Sequence, residues 1–227
     1  MTALARLPAH RRGAVPAFSL LELLLALALG MLLSGVMLQA LLAEGQNGSR
    51  LSRLLRERAV QRRTLDLVKR DLSRATALSP DPASEQPACG LADRLVVLHL
   101  STPAGPITYS VGAAPSGIWR GRVLLRCGPA FGLDGEPALG SQPQNRVVID
   151  GLDPSPGAWG GCGRLLAQSG GPWLDLADSS AQPFSACLAP ASGLVALRLQ
   201  QQLGGGGAGR PQTIATELVA EVVAAAR

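Results

Sequence analysis

One carboxylate lies where a charge needs a partner. Glu22 stands near the start of an apolar run, and no charged residue occurs between Leu23 and Ala43. An ionised carboxylate at the edge of a membrane helix is costly and normally has a partner. Phe18 and Glu22 are four residues apart, so they lie on one face of the first helical turn. Glu22 is therefore either paired with a cation or, as the alternative, hydrated at the membrane surface.

The apolar run is long enough to cross a membrane. Its 21 positions from Leu23 to Ala43 make a helix of about 31 Å, close to the ~30 Å of a bilayer core. The run is longer than the ~7–15 apolar residues of a cleaved secretory signal. Arg11 and Arg12 favour a cytoplasmic N-terminus, whereas the arginines beyond the run favour the opposite orientation. We favour the orientation that Arg11 and Arg12 indicate, with the N-terminus in the cytoplasm, because of the sequence motif that follows them.

That motif is AFSLLE, residues 17–22, with basic residues before it and the apolar run after it. It resembles the N-terminal motif of type IV prepilins. The resemblance implies that residues 1–17 are a leader, that a prepilin peptidase cuts between Ala17 and Phe18, and that the new amine of Phe18 is methylated. It also implies that Glu22 pairs with the N-terminal amine of a neighbouring subunit. The family usually has Gly before the cut. Ala17 is the smallest alternative with a side chain, so we expect processing to survive.

The order of elements is also similar to that of type IV pilins. The end of the long helix, KRDLSRA (69–75), and the later LVVLHL, ITYSV and GIWR segments resemble PilW-type minor pilins and J-type pseudopilins of type II secretion. The resemblance implies a structural subunit, a minor type IV pilin at the tip of a pilus or acting as its initiator. One alternative is a type II secretion or competence pseudopilin. The other is a membrane-anchored extracytoplasmic domain with no filament role.

The same resemblance implies the partners and the location. The partners are other pilin or pseudopilin subunits, the prepilin peptidase and the inner membrane. Before assembly the chain would be a single-pass protein of the inner (plasma) membrane. After assembly it would belong to an extracytoplasmic pilus or pseudopilus.

The pattern along the chain predicts an α+β protein of the pilin fold. A long helix is expected over residues 18–78, transmembrane over 18–43 and amphipathic over 44–78, with a β-rich, loop-rich head over 79–227. A possible interruption lies at Gly45, Asn47 and Gly48, and the apolar stripe of the amphipathic part comprises Leu51, Leu54, Leu55, Leu65, Val68, Leu72 and Ala75. Strand candidates are residues 94–100, 107–111, 118–126, 146–150 and 193–200. Apolar spacing over residues 213–226 favours a helix, with a terminal strand as the alternative.

Four cysteines lie beyond the apolar run: Cys89, Cys127, Cys162 and Cys187. None is in a CxxC pair, so a zinc site is not expected. An even number of cysteines after an export-type segment favours disulfides. Three pairings are possible, of which we favour the sequential one. Buried free thiols are the alternative, because free Cys behaves as a small hydrophobe.

The remaining polar residues show no catalytic pattern. The sequence contains no GxSxG, SxxK, HExxH or P-loop motif. His99 lies in an apolar strand-like run, which favours a structural role. The DGLD segment (Asp150–Asp153) offers oxygen ligands for calcium, but the twelve-residue calcium-loop pattern is missing, and Asp and Gly are common turn residues. We therefore predict no enzyme activity, metal or cofactor.

Charge and aromatic content limit the partners further. The net charge is +5, but the first 17 residues hold three arginines and no acid, so the rest of the chain carries 18 basic and 16 acidic residues, a formal +2. Aromatics are only 3% of the chain, which argues against a platform for stacking bases. The arginines beyond the apolar run are interpreted as a solvated helix face, because Glu57, Asp66 and Asp71 interleave with them. DNA as a partner therefore finds no support in the sequence.

Overall fold

The first element of the fold is α1 (Leu20–Arg74), one helix of 55 residues. It runs without a break through Gly45, Asn47 and Gly48, so no interruption occurs there. The prediction of a long N-terminal helix is confirmed. The structure is a computed structural model that describes residues 19–86, 89–90, 93–203 and 212–222.

The helix ends four residues before the predicted end at residue 78. The next residues form the short strand β1 (Ala77–Leu78), which pairs with the strand that contains Ser101. The backbone N–H of Thr76 donates to the Ser101 carbonyl at 2.8 Å. The backbone groups after Arg74 therefore bond to a neighbouring strand, and the helix stops before it reaches the prolines that follow.

The described strands form a single antiparallel sheet of nine strands in the order β1-β2-β3-β4-β5-β8-β7-β6, with β9 paired to β8. The mixed α+β class is thus confirmed. Three short 3₁₀ helices and α2 connect the strands. After β1 the elements are β2 (Leu95–Thr102), β3 (Gly105–Ala113), β4 (Arg122–Gly128), β5 (Gln144–Leu152), α2 (Gly161–Leu165), β6 (Leu174–Asp175), β7 (Phe184–Ala189), β8 (Leu194–Leu203) and β9 (Gln212–Glu221).

Four strand candidates coincide with β2, β3, β5 and β8. The fifth, residues 118–126, is only half right, because β4 begins at Arg122. The sequence did not predict β7, although all six of its residues are buried.

The helix favoured over residues 213–226 is wrong. Gln212–Glu221 forms β9, which pairs with β8 over ten residues. Ile214, Leu218 and Val222 are four apart, a spacing that fits a helix but also places all three on one face of a strand. Pairing with β8 decides between the two periods. Residues 223–227, and the glycine tract at 204–207, lie outside the described residues.

Contacts divide the described residues into two units, the first ending at Arg53 and the second beginning at Leu54. The second unit starts inside α1, because the last part of the helix, from Val60 onward, packs into the core. Leu65, Val68 and Leu72 are fully buried and belong to the same cluster as residues of β2, β3, β7 and β8. Leu55 is 58% exposed, so the apolar stripe joins the core only from its middle onward. We call residues 54–227 the C-terminal unit.

Two disulfides tie a loop and the short helix α2 of the C-terminal unit to its sheet. Cys89 is bonded to Cys127 of β4, and Cys162 of α2 is bonded to Cys187 of β7. The Cα–Cα distances are 5.9 and 6.0 Å. This is the sequential pairing, and the alternative of free thiols is excluded for this structure.

A buried polar cluster joins α1 to the sheet. The side chains of Asp71 on α1 and Arg126 on β4 are 0% and 1% exposed. Asp71 Oδ2 accepts hydrogen bonds from Arg126 Nε and from the Tyr109 hydroxyl, each at 2.7 Å. Arg126 Nη1 donates to the Pro129 carbonyl, and its guanidinium lies 4.5 Å from the centre of the Phe131 ring. The cluster fixes the position of the helix on the sheet, since a buried charge is tolerated only when paired.

We expect the stability of the protein to fall above about pH 10 through Tyr109. Burial raises the pKa of Tyr109 well above its ordinary value. The charge of Asp71 and the hydrogen bond that the hydroxyl donates to it raise this pKa further, while Arg126 lowers it. The unfolded chain ionises this tyrosine first, so the free energy of unfolding should decrease by about 1.4 kcal/mol per pH unit until the folded protein also ionises. Urea unfolding from about pH 9 to 11 measures this slope.

The tyrosine experiment has a direct control. The chain has one tyrosine, so absorbance near 295 nm reports this hydroxyl alone. Tyr109→Phe should be less stable at neutral pH, because Asp71 loses a donor, but it should lose the added pH dependence. An unchanged slope in Tyr109→Phe would show that another group causes it.

Candidate functional site at the start of the N-terminal helix

Glu22 forms a reciprocal pair with Ser19 at the first turn of α1. Glu22 Oε2 accepts hydrogen bonds from the backbone N–H and the hydroxyl of Ser19, both at 3.1 Å. In return, the backbone N–H of Glu22 donates to Ser19 Oγ at 3.3 Å. Ser19 immediately precedes the first helical residue, Leu20, and Glu22 is the third helical residue. This is the arrangement of a capping box.

The capping box satisfies backbone groups that the helix leaves open. The first N–H groups of a helix have no partner within it. In hydrocarbon each unsatisfied group costs several kcal/mol. A carboxylate in the first turn also interacts favourably with the helix dipole. Sequence reasoning missed this role, although the SLLE pattern of residues 19–22 carries the S-x-x-E signal for it.

Both hydrogen bonds that Glu22 accepts use Oε2. A carboxylate has about four acceptor positions on two oxygens, so capping leaves capacity for a cation. The capping role and the pairing role are therefore compatible in one residue. Ala17 and Phe18 lie outside the described residues, and the predicted cut and the predicted partner amine stay predictions.

The helix that follows is apolar and exposed. Leu20–Leu42 has a mean hydropathy of 2.3, and none of it is buried within the chain. By length and composition this segment could cross a membrane, and it is the one helix of the described residues that meets both criteria. A membrane or a bundle of similar helices would cover these side chains.

The other residues considered for chemistry form hydrogen bonds with neighbouring strands and loops. His99 Nδ1 is 3.0 Å from the Thr108 hydroxyl on the neighbouring strand. Asp150 accepts from the backbone N–H of Arg120, and Asp153 accepts from the side chain of Gln200. Among the described residues no group of three or more His, Cys, Asp or Glu side chains could hold a metal.

The comparisons with known proteins add no family assignment. No protein-family model matches the chain, and neither the curated proteins nor the solved structures include a significant match.

Proposed function

We propose that the chain is a minor type IV pilin, a structural subunit that a prepilin peptidase processes and that assembles into a pilus at its tip or as its initiator. The observation that carries the proposal is the placement of Glu22. It is a lone carboxylate on the first turn of an apolar helix of membrane length. Cleavage before Phe18 would create a cation four residues away. The two charges, each costly alone in apolar surroundings, stabilise each other as a pair.

The architecture of the C-terminal unit supports the proposal. One helix contains both the apolar segment and the segment that packs on the sheet. The buried pair of Asp71 and Arg126 and two disulfides hold this unit together. A subunit that is drawn from a membrane by its helix needs the end of that helix to be held on the sheet.

The second candidate is a membrane-anchored domain without a filament role. The capping box favours it, because hydrogen bonding to Ser19 explains Glu22 without a neighbouring subunit. An anchor needs only an apolar helix with a satisfied N-terminus. The two candidates differ in the N-terminus of the mature chain and in the effect of removing the charge of Glu22.

The N-terminus of the mature protein tests the proposal directly. We expect mass spectrometry of the protein from membranes of a peptidase-containing host to show a chain that begins at methylated Phe18. A host without the peptidase should yield the uncut chain. Ala17→Leu replaces the small residue before the cut and should also remain uncut. An intact Met1 in the peptidase-containing host, or a cut near Ala43, would contradict the pilin proposal.

A further inference from the structure

The outer face of α1 in the C-terminal unit carries a row of basic side chains. Arg56, Arg63 and Arg70 are seven residues apart and all exposed. Seven residues are nearly two helical turns, so the three lie in line, with about 10.5 Å between successive members. Arg62 and Lys69 flank the line and are also exposed. We call these five residues the basic row. The opposite face of the helix is buried against the sheet.

Folding removes most of the acidic residues that could neutralise this row. The sequence places Glu57, Asp66 and Asp71 among the basic residues, but Asp71 is fully buried with Arg126. The Glu57 side chain is 17% exposed and lies 4.0 Å from Arg120. Asp66 is thus the one exposed acid between residues 54 and 74. No member of the basic row forms an ion pair with another described residue. The exposed face is therefore more basic than the sequence suggests.

We propose that the basic row binds the phosphate backbone of double-stranded DNA. A duplex carries one negative charge per about 1.7 Å of its axis, so it can neutralise charges along the whole row. Four of the five residues are arginine, whose guanidinium binds phosphate through two hydrogen bonds. The row contains no aromatic side chain for stacking on single-stranded bases and no amide for reading base edges. Recognition would therefore depend on the backbone and be independent of sequence.

Other polyanions fit this face less well. A helix that lies on a membrane surface pairs its basic face with an exposed apolar face. Here the apolar face, with Leu65, Val68 and Leu72, is buried in the core. A protein partner would need an interface core that is depleted of charged residues. The row offers mainly charge.

A depression along the basic row contains an acidic residue whose removal gives a sensitive test of DNA binding. Arg63, Lys69 and Arg70 line a shallow, open depression that also contains Asp66 and Ser73. A phosphate seated there would be attracted by three cations and repelled by one carboxylate. Asp66→Asn removes the repulsion, so it should tighten DNA binding.

The experiment measures the salt dependence of binding to a fluorescent duplex by anisotropy. The full chain is held in nanodiscs of phosphatidylcholine, with a duplex of about 30 base pairs and salt from about 50 to 200 mM. The slope of log K against log salt is about −0.9 for each phosphate neutralised. The total slope of the variant R56Q/R63Q/R70Q should therefore be about 2.7 less negative than that of the wild type. The control R122Q/R146Q/R164Q removes the same charge from β4, β5 and α2, where no ion pair with an acid of α1 is lost, and should keep the slope. Asp66→Asn should bind more tightly than the wild type.

Several results would overturn the proposal. The two triple variants could weaken binding equally, which would show an effect of net charge alone. A single strand could bind as tightly as the duplex, or polyglutamate of equal charge could displace the duplex as well as unlabelled DNA does. Phosphatidylglycerol in the nanodisc could abolish binding of the duplex to the wild type but not to R56Q/R63Q/R70Q. That result would identify lipid as the ligand of the row. The assay uses the unassembled protein, so its outcome is independent of whether the chain forms a pilus.

Discussion

Arg126→Leu should destabilise the C-terminal unit by about 3–5 kcal/mol, the largest effect on stability that we expect from any one substitution in the described residues. The change leaves the carboxylate of Asp71 buried with the Tyr109 hydroxyl as its hydrogen-bond donor. Arg74 lies 3.9 Å from Oδ1 of this carboxylate, too distant to replace the charged hydrogen bond that Arg126 donates. An unpaired buried charge is far more costly than a missing pair. The midpoint of urea unfolding, followed by circular dichroism of the full chain in detergent, measures the loss.

Two further variants separate charge pairing from packing. D71L/Y109F/R126L replaces the whole cluster by apolar groups and should recover at least half of the stability lost in Arg126→Leu. Arg146→Leu removes another arginine that faces the ring of Phe131, at 5.7 Å, but from an exposed position. It should change stability by less than about 1 kcal/mol. If D71L/Y109F/R126L is as unstable as Arg126→Leu, the cost comes from lost packing and not from the unpaired carboxylate.

Local patterns predicted the parts of the fold that depend on local physics. The long helix follows from an uninterrupted apolar run and the helical spacing of Leu65, Val68 and Leu72. Strands β2, β3, β5 and β8 follow from short apolar runs bounded by turn residues. The capping box at Ser19 and Glu22 is equally local and was readable from four residues. It was missed because the charge of Glu22 drew the interpretation towards an intermolecular partner.

Contacts between distant residues account for what the sequence did not predict. Asp71 and Arg126 are 55 residues apart, and nothing in either neighbourhood marks them as partners. As a result, Asp71 was counted among the acids that neutralise the helix face, whereas the fold buries it. The last segment shows the same limit, because Ile214, Leu218 and Val222 suit a helix and a strand alike. Only the ten-residue pairing with β8 settles the choice.

The substitutions at Glu22 should separate its two roles most clearly. Gln serves in a capping box as Glu does, so Glu22→Gln keeps the helix N-terminus satisfied while removing the charge. If Glu22 pairs with the amine of a neighbouring subunit, Glu22→Gln leaves that cation unpaired in apolar surroundings. The unpaired cation costs about 3 kcal/mol or more, which lowers the association constant of each contact between subunits by a factor of roughly a hundred. We therefore expect Glu22→Gln and Glu22→Ala to abolish filaments alike, while both variants still insert into the membrane.

Immunoblots of the sheared filament fraction and of the membrane fraction measure assembly and insertion in the same cells. Glu44→Gln is the matched control, because Glu44 is another exposed carboxylate on the same helix and should leave both fractions unchanged. If capping were the whole role of Glu22, Glu22→Gln would assemble normally and only Glu22→Ala would show a defect. A simple anchor predicts instead that function survives all three substitutions. In the proposed pilin, the charge of Glu22 is needed for assembly because the same carboxylate would serve first its own helix and then the amine of the next subunit.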